Sequence, residues 1–210
     1  AVECGTNLFL HDFAEIEELF GSAPLSLDVR LPEGSVIADI YAFSSEPPSQ
    51  VQRWKPMLKE ADLLLFSTHS DDEQLYFAGV LPYYAIERKL DVQVVYFIQH
   101  FEVDGRLNHV RPHEQLDGLW TVGITNYPYI SPFPDLYARN DGTKSRQTMV
   151  NIMVNGFKRY GFTRDDLLGY SVEVLRRFKP LVVVTHDLDG EYGHGAHILN
   201  AALMCVAVEI

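Results

Sequence analysis

Two short stretches of this chain concentrate side chains that can bind a metal or move a proton. The first is Ser67-Thr68-His69-Ser70-Asp71-Asp72-Glu73. The second is Thr185-His186-Asp187-Leu188-Asp189-Gly190-Glu191-Tyr192-Gly193-His194-Gly195-Ala196-His197. His and Asp/Glu are the ligand types of catalytic zinc, which takes three protein ligands and keeps one position open for water. Asp71 and Asp72 are adjacent, so their side chains point in different directions; one can bind a metal while the other faces the water. Gly193 and Gly195 let the backbone turn tightly around His194. His194 and His197 lie three apart and share a face at a helix start. This permits His69, Asp72 and His197 as ligands, Asp71 as base and His194 beside a substrate. Taken singly, each stretch has a plainer reading. Asp71 or Asp72 would serve well as an N-cap, and the glycines would simply make a turn. Two such stretches in one chain of 210 residues are hard to attribute to capping.

The elements around them explain their placement. Ala61 to Thr68 reads as a buried strand, a continuous apolar run bounded by polar residues. Asp72 to Lys89 reads as a helix, with Gly79 and Pro82 set to kink or restart it. Val92 to Ile98 is a second strand, rich in β-branched and aromatic residues. Arg111 to Thr121 is a helix. Tyr127 to Pro134 carries three prolines and is extended, with a short strand open at its start. Gln147 to Arg159 and Asp165 to Lys179 are helical, the latter opened by Thr163 with Asp166 three residues on, a capping-box pattern. Leu181 to Thr185 is a third strand and Gly195 to Val208 a last helix. Strands alternating with helices predict an α/β fold with a largely parallel sheet. Ligands of such sheets sit beyond the carboxyl ends of strands, which is where both polar stretches fall. Upstream, Asp12 to Phe20 has amphipathic helical spacing, Val36 to Phe43 resembles a strand, and Trp54, Met57 and Leu58 mark a short helical pattern. Residues 1–58 read as an N-terminal extension and 59–210 as the domain.

His69-Ser70-Asp71-Asp72-Glu73 resembles the HPDDE motif of the PIG-L/LmbE superfamily of zinc-dependent N-acetylglucosamine deacetylases. Gly190 to His197 is similar to that family's Tyr-Gly-His-x-x-His signature, and Arg111 with Glu114 to an Arg-x-x-Glu pair. The resemblance runs from about Ala61 to about Asn200. It implies a Rossmann-like three-layer fold and a hydrolase that removes an N-acetyl group from an N-acetylglucosamine-type sugar or glycoconjugate. By position it implies His69, Asp72 and His197 as ligands of Zn2+. Asp71 is then the general base acting on the metal-bound water, His194 stabilises the oxyanion or protonates the leaving amine, and Tyr192 assists at the oxyanion. Ser70 departs from the motif, standing where the family has Pro. Arg111 is open to two readings, substrate contact or pairing with Glu114. Two alternatives stay open for the whole: a catalytically impaired carbohydrate-binding relative of the same fold, and another metal-dependent amidohydrolase.

The bulk properties bound the partners. A net charge of −12 repels phosphate backbones, so nucleic acid is excluded as an expected partner. No apolar run approaches the roughly 20 residues of a membrane-spanning helix. Cys4 and Cys205 lie near opposite ends and form no CxxC pair, so a thiolate metal site is not supported; whether they pair is left open, as is a homo-oligomer. A small-molecule or oligosaccharide substrate is expected. The first residue, Ala1, together with the N-terminal segment and the acidic balance, leans toward an exported bacterial protein. Ala196 to Ile210 stops inside an apolar pattern with no Gly, Asn or Pro at its end to close a helix, so the chain is expected to continue past Ile210, with part of the substrate cleft beyond it. Among the remaining histidines, His113 reads as a helix-surface residue, His186 is a candidate hydrogen-bond partner of a ligand, and His100 and His109 carry no assignment. Trp120, Tyr127, Tyr129, Phe133 and Tyr137 read as core or loop anchors, with a sugar-stacking platform as the alternative.

Overall fold

A computed structural model describes residues 13–31, 33–34, 39–99, 102–103, 106–107 and 110–210 of the chain. Two compact units divide it, Ala1–Trp54 and Lys55–Ile210. In the first, helix α1 (Ile16–Phe20) closes on Gly21, whose left-handed backbone (φ 75°) lets its N–H reach the Glu17 carbonyl. Residues 39–43 of the expected Val36 to Phe43 strand form no strand, and residues 36–38 lie outside the described residues. Ile40 and Tyr41 are exposed, and β propensity without a partner strand to pack against does not make a strand. The helical pattern at Trp54, Met57 and Leu58 is likewise not a helix.

The second unit is built on a four-stranded parallel sheet. Its strands are β1 (Leu63–Ser67), β2 (Val92–Tyr96), β5 (Tyr129–Ile130) and β6 (Val182–Thr185), in the order β5-β2-β1-β6. A small antiparallel pair, β3 (Glu102–Val103) and β4 (Arg106–Leu107), stands apart. β1 is central and buried along its whole length, as its uninterrupted Leu-Leu-Leu-Phe run requires. It pairs Leu63 with Val92 on one side and with Val182 on the other.

Leu64 and Phe66 of β1 and Val95 of β2 enter one core with helices α4 (Arg146–Lys158), α5 (Arg164–Phe178) and α6 (Gly195–Ala207). α4 buries Met149, Val150, Met153, Val154 and Phe157, one stripe at helical spacing. α5 opens on the Thr163–Asp166 capping box that its sequence announces. Phe66, Phe97 and Phe157 are fully buried here, each worth about 1.5–3 kcal/mol on removal from water. The alternate side chain Tyr96 faces the other way and meets Glu73 and Gln115, the latter on α3 (Arg111–Thr121).

One helix is shorter than its sequence suggests. The Asp72 to Lys89 stretch resolves into α2 (Asp72–Leu75), a set of turns, and a wide π-type turn over Pro82–Glu87. Pro82 lacks the N–H that a continuous helix would need there.

The chain runs from β1 outward to β2 and β5, then returns to lay β6 on the opposite side of β1. The order of strands therefore reverses between β1 and β6, and the crevice beyond their carboxyl ends is where such sheets bind ligands. Both polar stretches emerge into that crevice, one from Ser67 and the other from Thr185.

Candidate metal centre

Backbone contacts shape the two loops before any side chain meets. Asn200 of α6, fully buried, donates its Nδ2 to the Phe66 carbonyl at 3.3 Å and to Thr68 Oγ1 at 3.0 Å. This ties the end of β1 to α6, one turn beyond His197. The second loop turns through Gly190 (φ 68°) and Gly193 (φ 73°). The Gly193 carbonyl accepts the Asn140 N–H at 2.8 Å, and the Gly195 N–H donates to the Ala138 carbonyl at 2.7 Å. Segment 138–140 thus clamps the turn that presents His194. The ring of His194 caps α6, its Nδ1 accepting the Ala196 N–H at 3.2 Å.

The side chains then converge. Asp72 Oδ2 lies 3.2 Å from His69 Nδ1 and 3.3 Å from His197 Nε2, and those two nitrogens are 3.1 Å apart. All three residues are buried. A tetrahedral zinc with bonds of about 2.0–2.1 Å sets its ligand atoms about 3.3–3.4 Å apart, so these atoms fit three of its corners. Wider groupings, His69/His194/His197 and Asp72/His186/His197, also bring candidate ligand atoms within 4.8 Å. Hydrogen bonding separates these groupings. His186 Nε2 lies 3.3 Å from Asp72 Oδ2 but already accepts the Thr68 N–H at 3.0 Å, and His194 Nδ1 is committed to Ala196.

Outer carboxylates complete the centre. Asp135 Oδ1 is 3.2 Å from His69 Nε2. Glu191 Oε2 is 2.6 Å from His186 Nδ1 and 2.7 Å from His197 Nδ1. Burial opposes charge on His69, yet the Asp135 and Asp72 carboxylates outweigh it and push its pKa up to about 9. A metal at Nδ1 therefore displaces a proton. Burial also opposes ionisation of Asp72, but the surrounding imidazoles hold its carboxyl far below the usual range. Glu191 is held low in the same way. His194 moves oppositely: burial first, then the charges of His69 and His197, lower it to about 4. With Nδ1 accepting, its Nε2 carries the hydrogen and can donate.

Asp71 occupies the N-cap position of α2, but its side chain caps nothing. Its Oδ2 instead receives the Arg111 guanidinium at 2.6 Å, while Arg111 reaches Glu114 at 3.5 Å. Tyr192 is half exposed, in a left-handed backbone conformation (φ 47°), its ring 5.5 Å from that of His194. Partial burial and the neighbouring Tyr76 push its phenol up to about 12. Tyr76 also packs at 5.8 Å from His197.

The structure therefore brings His69, Asp72, His194 and His197 into one cluster, with Asp71, Arg111 and Tyr192 on its open side. His186 joins it through Thr68, Asp72 and Glu191. His113 is exposed on α3. Cys4, His100 and His109 lie outside the described residues, and Cys205 is an exposed free thiol. Tyr127 and Phe133 are buried, Tyr129 stacks on Tyr170, and Tyr137 reaches the site, 5.3 Å from His194. Sequence reasoning missed Asp135, Asn200 and the part played by Glu191. Glu191 at least stood inside the second stretch; Asp135, behind a proline-rich loop, carried no spacing signal.

The parallel α/β sheet thus carries, at its reversal point, a buried His–carboxylate cluster that could hold a metal ion. Residues 64–208 match the family model of GlcNAc-PI de-N-acetylase (PIG-L), and the chain belongs to that family. It is 27% identical over 152 residues to a 1D-myo-inositol 2-acetamido-2-deoxy-alpha-D-glucopyranoside deacetylase of a Nocardioides species, covering 65% of this chain and 50% of that protein. It is 28% identical over 166 residues to the protein of the same name from Streptomyces avermitilis, covering 73% and 54%. The chain thus spans about half the length of the curated relatives it matches. Among the described residues, no helix is long and apolar enough to cross a membrane.

Proposed function

We propose that the chain carries the zinc centre of a hydrolase that removes an N-acetyl group from an N-acetylglucosamine-type sugar. The observation that carries this reading is the triangle of His69 Nδ1, Asp72 Oδ2 and His197 Nε2, with sides of 3.1, 3.2 and 3.3 Å. These three atoms would hold the ion. A bound zinc supplies Lewis-acid polarisation of the amide carbonyl and an acidified water. The names of the two relatives support an acetamido sugar as the substrate class.

The remaining chemistry falls to the chain. Asp71 takes the proton of the attacking water as its oxygen bonds to the carbonyl carbon. Arg111, 2.6 Å away, holds that carboxylate in place. His194 Nε2–H donates a hydrogen bond to the oxygen on which charge develops. A neutral imidazole suits that role better than that of the acid. Tyr192, its phenol kept protonated, is a second donor. The C–N bond then breaks, and the proton held by Asp71 passes to the departing nitrogen. The products are acetate and a free amine.

The test combines metal analysis with amine release from N-acetylglucosamine conjugates. The wild-type chain is expected to hold one zinc and release amine. Asp71→Asn is expected to keep the zinc and lose at least a hundredfold in turnover, within the range of removing a general base. A fully active variant refutes the base assignment. Stoichiometric zinc without amine release in the wild type would instead favour a carbohydrate-binding relative.

A further inference from the structure

Glu191 lies outside the triangle yet contacts it through two imidazoles, and the hydrogen positions there can be deduced. A backbone N–H can only donate. The Thr68 N–H points at His186 Nε2 from 3.0 Å, so that nitrogen offers its lone pair and the ring proton sits on Nδ1. Nδ1 lies 2.6 Å from Glu191 Oε2. An ionised carboxylate can only accept, which agrees with the direction of that bond. The same oxygen lies 2.7 Å from His197 Nδ1, so His197 must donate there as well. In the neutral ring, the form that binds a metal, its Nε2 is left with a lone pair and lies 3.1 Å from His69 Nδ1 and 3.3 Å from Asp72 Oδ2.

Two further features hold this arrangement. The other carboxylate oxygen, Oε1, accepts the Asp187 N–H at 3.3 Å, so the group is anchored to its own loop. The His186 and His197 rings are stacked, with centroids 4.0 Å apart and planes inclined by 19°. Their Nδ1 atoms can therefore share one acceptor. The turn that delivers Glu191 admits little variation, because a Cβ on Gly190 would lie 2.7 Å from the His194 carbonyl and 2.8 Å from Ile198.

We propose that Glu191 is the positioning residue of the centre: through a single oxygen it fixes the tautomers of His186 and His197, and so commits His197 to present Nε2 to the metal. His186 acts as a relay that reports the backbone position of Thr68, one residue before His69, to the same carboxylate. The two loops are thereby registered against each other through one group. This rests on the zinc-centre reading above, and partners of this kind commonly change metal affinity when removed.

Two measurements test it. Zinc affinity by chelator competition is read beside the melting temperature of the metal-free protein. Glu191→Ala is expected to bind zinc about 10- to 100-fold more weakly. Glu191→Gln, which keeps an acceptor oxygen, is expected to lose clearly less. Zinc affinity within about twofold of wild type in Glu191→Ala, or equal losses in the two variants, overturns the proposal, since an ion pair with a structural role alone would move melting temperature without this ranking. Ring nitrogen chemical shifts in the wild-type protein give a reading that does not depend on any variant folding. Both His186 and His197 are expected to carry hydrogen on Nδ1, and an Nε2–H tautomer on either ring overturns the proposal. Failure of the wild type to bind zinc would instead sink the zinc reading, with the tautomer assignment still decided by the shifts.

Discussion

Substituting alanine at two glycines separates backbone strain from collision at the second loop. Gly193 and Gly161 both have left-handed backbones, φ 73° and 87°. Each alanine variant therefore carries a similar conformational cost, about 1–2 kcal/mol. Their surroundings differ. Nothing lies within 4 Å of a Cβ built on Gly161, whereas one on Gly193 would lie 2.3 Å from the Asn140 carbonyl oxygen. To reach even 3.0 Å the Asn140 backbone must retreat by roughly 0.7 Å, the difference between those two distances. That movement disturbs the 2.8 Å bond from the Asn140 N–H to the Gly193 carbonyl, worth about 0.5–1.5 kcal/mol. Gly161→Ala is thus expected to cost about 1–2 kcal/mol, and Gly193→Ala about 1.5–3.5 kcal/mol. The clamp also sets the start of α6, so only Gly193→Ala should weaken zinc binding. Urea denaturation of the metal-free proteins, followed by chelator competition, measures both. Equal destabilisation and unchanged zinc affinity would refute the reasoning.

His197→Ala removes one corner of the triangle and is expected to lower zinc content well below one per chain, measured by elemental analysis; unchanged stoichiometry contradicts the ligand set. Glu73 supplies a pH test. Burial, with smaller contributions from Asp72 and Asp71, outweighs the lowering effect of the nearby Tyr96 hydroxyl and pushes its carboxyl up to about 7 from an ordinary 4.5. The folded protein holds this proton more tightly than the unfolded chain, so its contribution to stability is greatest below pH 4.5 and declines as pH rises to about 7. A shift of this size corresponds to about 3 kcal/mol. Glu73→Gln should therefore flatten the pH dependence, gaining stability over wild type at pH 8 but not at pH 4. Parallel curves for the two metal-free proteins would contradict the assignment.

The three long strands, the sheet's parallel sense and most of the cluster were legible because they rest on local signals. Leu63 to Phe66 is apolar without interruption, and only burial on both faces of a sheet accounts for that. His69 and Asp72 stood just past one strand end and His197 closed the polar stretch that follows another, the side of the sheet where α/β folds put their ligands. Position alone left Arg111 undecided between substrate and Glu114, because its reach to Asp71 depends on how α3 packs beside α2. Asp135 was invisible for a related reason: its contact with His69 spans 66 residues and is set by the course of a loop with no periodic pattern. The helix from Asp72 stopped at Leu75, and Pro82 stands in the first turn of the π-type segment that follows it. The expected strand near Tyr41 had the right residues and, among the described residues, no neighbour to pair with.

The position of β6 has a consequence for the behaviour of this chain in solution. Its inner side pairs with β1, but among the described residues no strand pairs with its outer side, where Leu181 and Val182 are exposed. An open, apolar strand edge is a template for adding another strand. The backbone such an addition would grip runs directly into Thr185 and His186, so a strand added at that edge and the geometry of the His–carboxylate cluster would be mechanically linked. Any strand added along that edge would therefore register at His186, whose Nε2 accepts the Thr68 N–H on the β1 side.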